Sequence, residues 1–173
     1  MNLIELKSNL RSQYLKRRSI ESQANLNRET IGREIKRELK RSRLPFTDPQ
    51  MEAVKEDLLD DIFGFGPLQR VLNDPDVSEI MVNGPFSIFV EINGVQREST
   101  QAFDNEQHLM EILNRLVRRA NQRLDESSPT IDCVIDGIYR LNAAIPPIAV
   151  NGPLITVRKP RSDIQQIEDL LKR

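Results

Sequence analysis

The chain has 173 residues, an almost even balance of 25 Lys and Arg against 26 Asp and Glu, one cysteine and one histidine. This length suits one domain of ordinary size with an appendage, and the low counts of cysteine and histidine exclude a disulfide framework, a cysteine-rich zinc site and a histidine-based metal cluster. Since no apolar run approaches the roughly 18 residues of a membrane span and the N-terminus lacks a secretory signal, we expect a soluble, intracellular protein.

The balanced net charge conceals a split along the chain. Residues 1–43 carry twelve Lys or Arg and five Glu, whereas residues 44–173 carry thirteen basic and twenty-one acidic residues. The first proline is Pro45, and proline disfavours helix at the residue before it. We therefore predict a boundary near residue 45, between a basic helical region over residues 1–45 and a second domain.

The basic region is predicted to be helical. Ile31, Ile35 and Leu39 recur every four residues, but the apolar stripe that they form is narrow, so the helices are expected to pair with each other or with a partner. The excess of Lys and Arg is explained by a solvated helix face, by an acidic partner protein or by lipid headgroups. We expect no nucleic-acid binding, because no aromatic stacking platform accompanies the charge.

A third helix is predicted over residues 50–62, and strands follow it. Asp57, Asp60 and Asp61 share one face of this helix, where they are either solvated or arranged to hold a hard cation. Further along, Asn93-Gly94 separates two short stretches with strand periodicity, and this pair is typical of a type I′ turn. A β-hairpin is therefore predicted around it.

The next helix is predicted to begin with Asp104 as its N-cap and to bury a broad apolar face against a sheet. Three further strands are predicted around residues 130–135, 139–145 and 154–158. A run of helices, a hairpin, a helix and more strands indicates an α+β fold, in which N-terminal helices are followed by a mainly antiparallel sheet packed with a helix.

Few side chains in this pattern point to chemistry. The sequence contains no G-x-x-x-x-G-K-[ST] phosphate-binding loop. Cys133 is predicted to be an inert core residue, and His108 a surface or boundary residue. Arg140 and Arg158 each lie in a predicted strand with apolar neighbours, where the guanidinium either pairs with one of the many acidic groups or binds an anion such as phosphate.

Five stretches of the chain resemble, in order, the N-terminal domain of CpaF-like ATPases. These ATPases belong to the type II/type IV secretion ATPase superfamily and serve tight-adherence (Flp) pilus machines. The resemblance runs from about residue 50 to residue 160, and the matching stretches are residues 59–68, 77–85, 125–129, 140–147 and 152–160.

The resemblance implies a PAS-like N-terminal domain, which we place over residues 46–160 and which works with a RecA-like P-loop domain in a hexameric motor. ATP and Mg are then expected between the two domains of the full-length protein, and Arg140 and Arg158 match the family's phosphate-contacting positions. The implied partners are the protein's own RecA-like domain, neighbouring subunits and the pilus or secretion platform proteins of the inner membrane. The implied location is cytoplasmic, at the inner-membrane secretion machine.

The same resemblance places the Walker A and Walker B motifs after residue 160. Residues 161–173 are therefore interpreted as the start of a linker to a RecA-like domain that this chain lacks. We expect negligible ATP turnover from this chain alone, and a monomer or a weak association. The alternative is a stand-alone, non-catalytic interaction module whose basic helices dock on an acidic partner.

Overall fold

The computed structural model describes residues 2–20 and 27–160, which belong to two units, Met1–Gln69 and Arg70–Arg173. The predicted linker over residues 161–173 lies outside the described residues. Among the residues that are described, no helix is long and apolar enough to cross a membrane.

Within the described part of the first unit lie three helices, α1 (Leu3–Ile20), α2 (Arg28–Arg41) and α3 (Asp48–Phe63). The Asn27 side chain accepts hydrogen bonds from backbone N–H groups in the first turn of α2. At the start of α3, Thr47 and Gln50 form a capping box. These caps satisfy N–H groups that lack a partner inside the helix, and they fix where each helix begins.

The three helices share one apolar core. α3 contacts both α1 and α2, so the narrow stripes predicted for the basic region meet a buried face of the third helix. The basic helices therefore pack in one core with α3, and the predicted docking on a separate partner stays a prediction. The core residues are Leu6, Leu10, Tyr14, Ile31, Ile35, Leu39, Met51, Val54, Leu58, Leu59 and Ile62.

The acidic side of α3 neutralises part of the basic region. Arg11 Nε lies 2.9 Å from Asp61 Oδ2, and Arg28 Nη2 lies 2.8 Å from Asp60 Oδ1. The interpretation of Asp60 and Asp61 as solvated residues is wrong, because folding buries both of them beside arginines. Part of the excess positive charge of residues 1–43 is therefore balanced by carboxylates of α3 within the same unit.

The predicted boundary near residue 45 falls in the loop between α2 and α3, but the compact unit continues to Gln69. α3 packs with the basic helices because its apolar face completes their core. The predicted division is a basic region of residues 1–45, an α+β domain of residues 46–160 and a linker. It stays a prediction, because the packing of α3 with the basic helices does not by itself set domain boundaries.

The second unit is built on an antiparallel sheet. The elements that follow α3 are α4 (Leu68–Asn73), β1 (Val77–Asn83), β2 (Ile88–Ile92), β3 (Val95–Glu98), α5 (Glu106–Arg119), β4 (Thr130–Ile135), β5 (Tyr139–Ala144) and β6 (Leu154–Arg158). The strand order, among the described residues, is β3-β2-β1-β6-β5-β4, with each neighbouring pair antiparallel. The helix α5 contacts β4. The predicted α+β fold, with helices before a mainly antiparallel sheet, is confirmed.

The turn between β2 and β3 has the predicted form. Asn93 and Gly94 adopt positive φ angles of 53° and 76°, and the residues on either side, Ile92 and Val95, pair directly. A two-residue type I′ turn requires both features. The dipeptide therefore fixes the register of this hairpin.

A three-residue loop joins β4 to β5. Ile135 pairs with Tyr139, so Asp136, Gly137 and Ile138 form the loop. Asp136 and Gly137 have positive φ angles of 53° and 73°, and glycine adopts this conformation without steric cost. The loop and the strand pairing together determine which residues of β5 lie opposite β4.

Two predictions about the start of α5 are wrong in detail. The N-cap is Asn105, whose side chain accepts a hydrogen bond from the His108 N–H at 2.9 Å, rather than Asp104. His108 is 1% exposed, although a surface or boundary position was expected. Its ring packs edge-on against Phe103, and its Nδ1 accepts a hydrogen bond from the Asp104 N–H at 3.2 Å. Hydrogen bonding and apolar contact together allow this polar ring to be buried.

Removal of the Asp61 carboxylate should destabilise the helical unit strongly. Asp61→Ala leaves Arg11 buried without that carboxylate, which typically costs about 3–5 kcal/mol. We expect a loss of this size in the free energy of unfolding, measured by urea denaturation followed by circular dichroism. Glu38→Ala, which breaks an exposed ion pair with Arg41, should cost less than about 1 kcal/mol. If the two variants lost similar amounts of unfolding free energy, burial of the Arg11–Asp61 pair would not be the reason for its large contribution.

Tyr14 should make the helical unit sensitive to alkaline pH. The pKa of Tyr14 is raised from 10.0 to about 12, mainly by burial and further by the Glu34 carboxylate that accepts its hydrogen bond. Because the pKa is higher in the folded chain, this stabilisation is fully present below about pH 10 and is lost as the pH rises towards 12.

Across that interval, the wild type should lose more stability than Tyr14→Phe, as measured by urea denaturation at a series of pH values. The chain has two tyrosines, so a titration of phenolate absorbance provides a direct check. A late-ionising component should be present in the wild type and absent from Tyr14→Phe. Its persistence in the variant would show that another residue causes it.

Candidate functional site

The structure places Arg140 and Arg158 next to each other. They are register partners on the adjacent strands β5 and β6, and directly opposed residues of an antiparallel pair have Cβ atoms about 4.5–5.5 Å apart. Both residues are exposed. The sequence pattern indicates each arginine separately, and the strand register brings the two together.

The two arginines lie on the open face of the sheet. Side chains alternate between the two faces of a strand, and the neighbouring residues Leu141 and Val157, which also pair with each other, are buried. We call the exposed surface around Arg140 and Arg158 the arginine face. β5 and β6 are interior strands, so backbone pairing on both sides holds this surface in place.

Acidic residues flank the arginine pair on one side. Glu79 on β1 is a register partner of Arg158, and Glu91 on β2 is a register partner of Glu79. The Ser78 hydroxyl donates a hydrogen bond to a carboxylate oxygen of Glu91 at 2.7 Å. The arginine face is therefore bordered by negative charge and is not part of a uniformly positive surface.

Apolar residues also border the arginine face, one on β4 and one on β6. Val134 on β4 is the register partner of Arg140 and is 54% exposed, and Leu154 at the start of β6 is 44% exposed. Covering these side chains with another molecule would remove apolar area from water, which favours binding.

Arg140 is held by a carboxylate on the neighbouring strand. Its Nε and Nη2 atoms donate hydrogen bonds to the two carboxylate oxygens of Asp132, at 3.2 and 2.8 Å. Arg140 lowers the pKa of Asp132 below its ordinary value, mainly through this hydrogen bonding, and Asp132 raises the pKa of Arg140 in return. Both groups are therefore charged at neutral pH.

Arg158 differs from Arg140 in its pairing. Its side chain forms no ion pair or hydrogen bond with any residue that the structure describes. Two like charges placed directly opposite each other on a sheet destabilise it. Within the described part of the chain, Arg158 therefore has no ion-pair partner, and an external anion would relieve the repulsion.

A shallow depression of about 400 Å³ continues the arginine face across β4, β5 and β6. Asp132, Asn142 and Thr156 form a transverse row of register partners across it. The complete lining is Thr130, Ile131, Asp132, Asn142, Ala143, Ala144, Leu154 and Thr156. Carboxylate, amide and hydroxyl groups therefore lie beside the two guanidinium groups.

Two neighbouring residues do not contribute to this site. Cys133 is half-buried rather than in the core, and burial, with the Asp132 carboxylate, raises the pKa of its thiol, which disfavours the reactive thiolate. Lys159 follows Arg158 in the sequence, but its Nζ donates a hydrogen bond to the backbone carbonyl of Asp74. The Lys159 ammonium group is therefore engaged with Asp74 and is not part of the arginine face.

Asp132 is a site residue that the sequence motifs do not indicate directly. The predicted turn at Asp136-Gly137 contained the necessary signal, because counting back from it pairs Asp132 with Asn142 and sets Asp132 diagonally across from Arg140. Diagonal neighbours in a sheet lie within reach of long side chains.

No protein-family model matches the chain. Among curated proteins, the chain is similar to putative conjugal transfer proteins from two strains of Mycobacterium tuberculosis, with 28% identity over 129 residues that cover 71% of this chain and 37% of each relative. It is also similar to the type IV secretion system protein VirB11 of Bartonella henselae, with 28% identity over 109 residues, and of Brucella suis biovar 1, with 26% over 108. Each VirB11 match covers 62% of this chain and 30% of the relative, so the chain spans about a third of the length of the curated relatives it matches.

A solved structure shares the fold. The chain superimposes on the VirB11 ATPase of the Brucella suis type IV secretion system, crystallised in complex with sulphate, with a TM-score of 0.54 and 24% identity, over 61% of this chain and 32% of that one. At this level of identity the likeness concerns the fold. The sequence and fold comparisons together support a relationship to the type II/type IV secretion ATPases, in which this chain corresponds to an N-terminal domain.

Proposed function

We propose that this chain is the nucleotide-clamping and subunit-contact domain of a hexameric secretion or pilus-assembly ATPase. The observation that carries the proposal is the direct opposition of Arg140 and Arg158 on an exposed sheet face. Within the superfamily, the finer assignment that we propose is a CpaF-like ATPase of Flp pilus biogenesis.

The chemistry of the arginine face suits phosphate. A guanidinium group presents N–H donors in a planar fork that matches two phosphate oxygens, and its charge persists at every physiological pH. Interior strands hold the backbone of both arginines, so little order has to be created when an anion binds. The related Brucella VirB11 was crystallised with sulphate, a tetrahedral oxyanion like phosphate.

Catalysis requires groups that this site does not supply. A phosphate-cradling loop, its lysine and the ligands of Mg would come from a RecA-like domain, with ATP between the two domains. The arginine face would neutralise charge on the phosphates. Loss of the γ-phosphate would weaken that contact and allow the two domains to rotate as rigid bodies.

The proposed setting is the cytoplasmic side of the inner membrane. The partners are the protein's own RecA-like domain, the neighbouring subunits of the hexamer and the platform proteins of the pilus or secretion machine. Similarity to VirB11 and to conjugal transfer proteins supports this setting.

Binding of inorganic pyrophosphate to this chain tests the clamp without any catalytic step. Pyrophosphate should shift the backbone amide resonances of β5 and β6 in an NMR titration. Arg158→Ala should weaken binding by about tenfold, the lower end of what one charge-assisted hydrogen-bonding group contributes.

Arg97→Ala is the matched control, because Arg97 is an exposed arginine of the same sheet that pairs with Val90 of β2. Val90 is buried, so Arg97 belongs to the face opposite Arg158. Its removal should leave pyrophosphate affinity within about twofold, since a single distant surface charge is largely screened by salt. Equal weakening in both variants would indicate non-specific attraction and contradict the clamp.

A stand-alone interaction module is the second candidate function, and the outward face of α2 favours it. Arg33, Arg37 and Lys40 are exposed at helical spacing. None of the three forms an ion pair within the part of the chain that the structure describes. In this alternative, the face docks on an acidic partner protein.

Poly-L-glutamate is a suitable probe for this second candidate. The double substitution Arg33→Gln with Arg37→Gln should weaken binding several-fold in fluorescence anisotropy at low salt, because attraction between exposed charges depends on their number and on screening. Lys36→Gln serves as the control, because Lys36 Nζ already lies 3.3 Å from Glu52 Oε2. Weakening by the control alone, or by neither variant, would exclude this face as the docking surface.

A further inference from the structure

Asp132 holds Arg140 on the side of β5 that faces away from Arg158. The strand order places β4 and β6 on opposite sides of β5, and Asp132 lies on β4 whereas Arg158 lies on β6. Asp132 occupies one bidentate edge of the Arg140 guanidinium, through Nε and Nη2. The two arginines are therefore opposed in backbone register, while the Arg140 head group is drawn towards β4.

An anion shared by both arginines has to change this arrangement. A phosphate group between β5 and β6 requires Arg140 to turn towards β6, and it places negative charge near the Asp132 carboxylate. Like charges at such short distances repel. Binding therefore exchanges a carboxylate for a phosphate at Arg140, whereas Arg158 has no ion pair among the described residues to give up.

We propose that Asp132 is a resident competitor for the arginine face: it holds Arg140 when no polyanion is present, and a polyanion captured by Arg158 displaces it. This inference rests on the proposed phosphate-clamping function. It adds that Asp132 lowers the affinity of the arginine face for phosphate. Asp132 is in this sense a positioning residue, because it acts on the anion through Arg140.

The exposure of the pair suits an exchangeable contact. The Arg140 and Asp132 side chains are 63% and 52% exposed, and exposed ion pairs contribute little net stability. A buried pair of the same type would be costly to separate. Asp132 is therefore strong enough to orient Arg140 and weak enough for a multivalent phosphate to replace it.

The test is inorganic pyrophosphate binding to the whole chain carrying Asp132→Asn. Asparagine keeps the size of the side chain and one acceptor oxygen but removes the charge. We expect binding about threefold to fivefold tighter than in the wild type, the size expected when one exposed ion pair no longer competes. The Nε–H resonance of Arg140 should shift in the unliganded variant, which reports directly that the holding contact has been lost.

The same hairpin offers a matched control. Asp136 accepts hydrogen bonds from Arg119 in the same bidentate manner, with Nε–Oδ1 and Nη2–Oδ2 distances of 2.8 Å. Asp136→Asn removes the same charge but leaves Arg140 paired, so it should leave pyrophosphate affinity within about twofold of the wild type. In an Arg140→Ala background, Asp132→Asn should lose its effect, since the competitor acts through Arg140.

Four results would overturn the inference. Unchanged affinity in Asp132→Asn, with normal binding by the wild type, would reject the competitor and leave the clamp standing. Equal tightening in Asp132→Asn and Asp136→Asn, or tightening that survives Arg140→Ala, would identify a general charge effect. Absence of binding in both the wild type and Asp132→Asn would reject the competitor together with the proposed clamp.

Discussion

The antiparallel register between β5 and β6 is the constraint on which the functional interpretation depends. It sets Arg140 opposite Arg158 on one exposed face, an arrangement that costs stability unless counter-charge is present. Leu141 and Val157 enforce the register, because a slip of one residue would bring these buried side chains into water and turn the arginines inwards. The apolar side of the sheet thereby fixes the position of the charges on its other side.

The two units use the pairing of arginine with aspartate for different purposes. The Arg11 and Asp61 side chains are 5% and 2% exposed, so their contact helps to specify how α1 and α3 pack, and it does not open without unfolding. Arg140 and Asp132 form the same chemical pair in contact with water. Burial, rather than the identity of the groups, decides whether such a pair is permanent or exchangeable.

Much of the fold could be predicted from local patterns, whereas the site could be predicted only in part. Periodicity gave the strands, and Asn93-Gly94 gave one turn, because both depend on residues close in sequence. The burial of Asp61 could not be predicted, since it depends on Arg11, fifty positions away. The resemblance pointed to Arg140 and Arg158 individually, but their opposition and the contact with Asp132 follow from strand pairing, which no single stretch of sequence specifies.

The exposed apolar residues beside the arginine face, Val134 and Leu154, have a thermodynamic consequence. A protein surface that covers them excludes water from the guanidinium groups, and electrostatic attraction strengthens as the local dielectric constant falls. Covering this face would therefore raise its affinity for anions. Linkage then requires the converse: by whatever factor the covering surface tightens anion binding, a bound anion tightens the hold on that surface by the same factor.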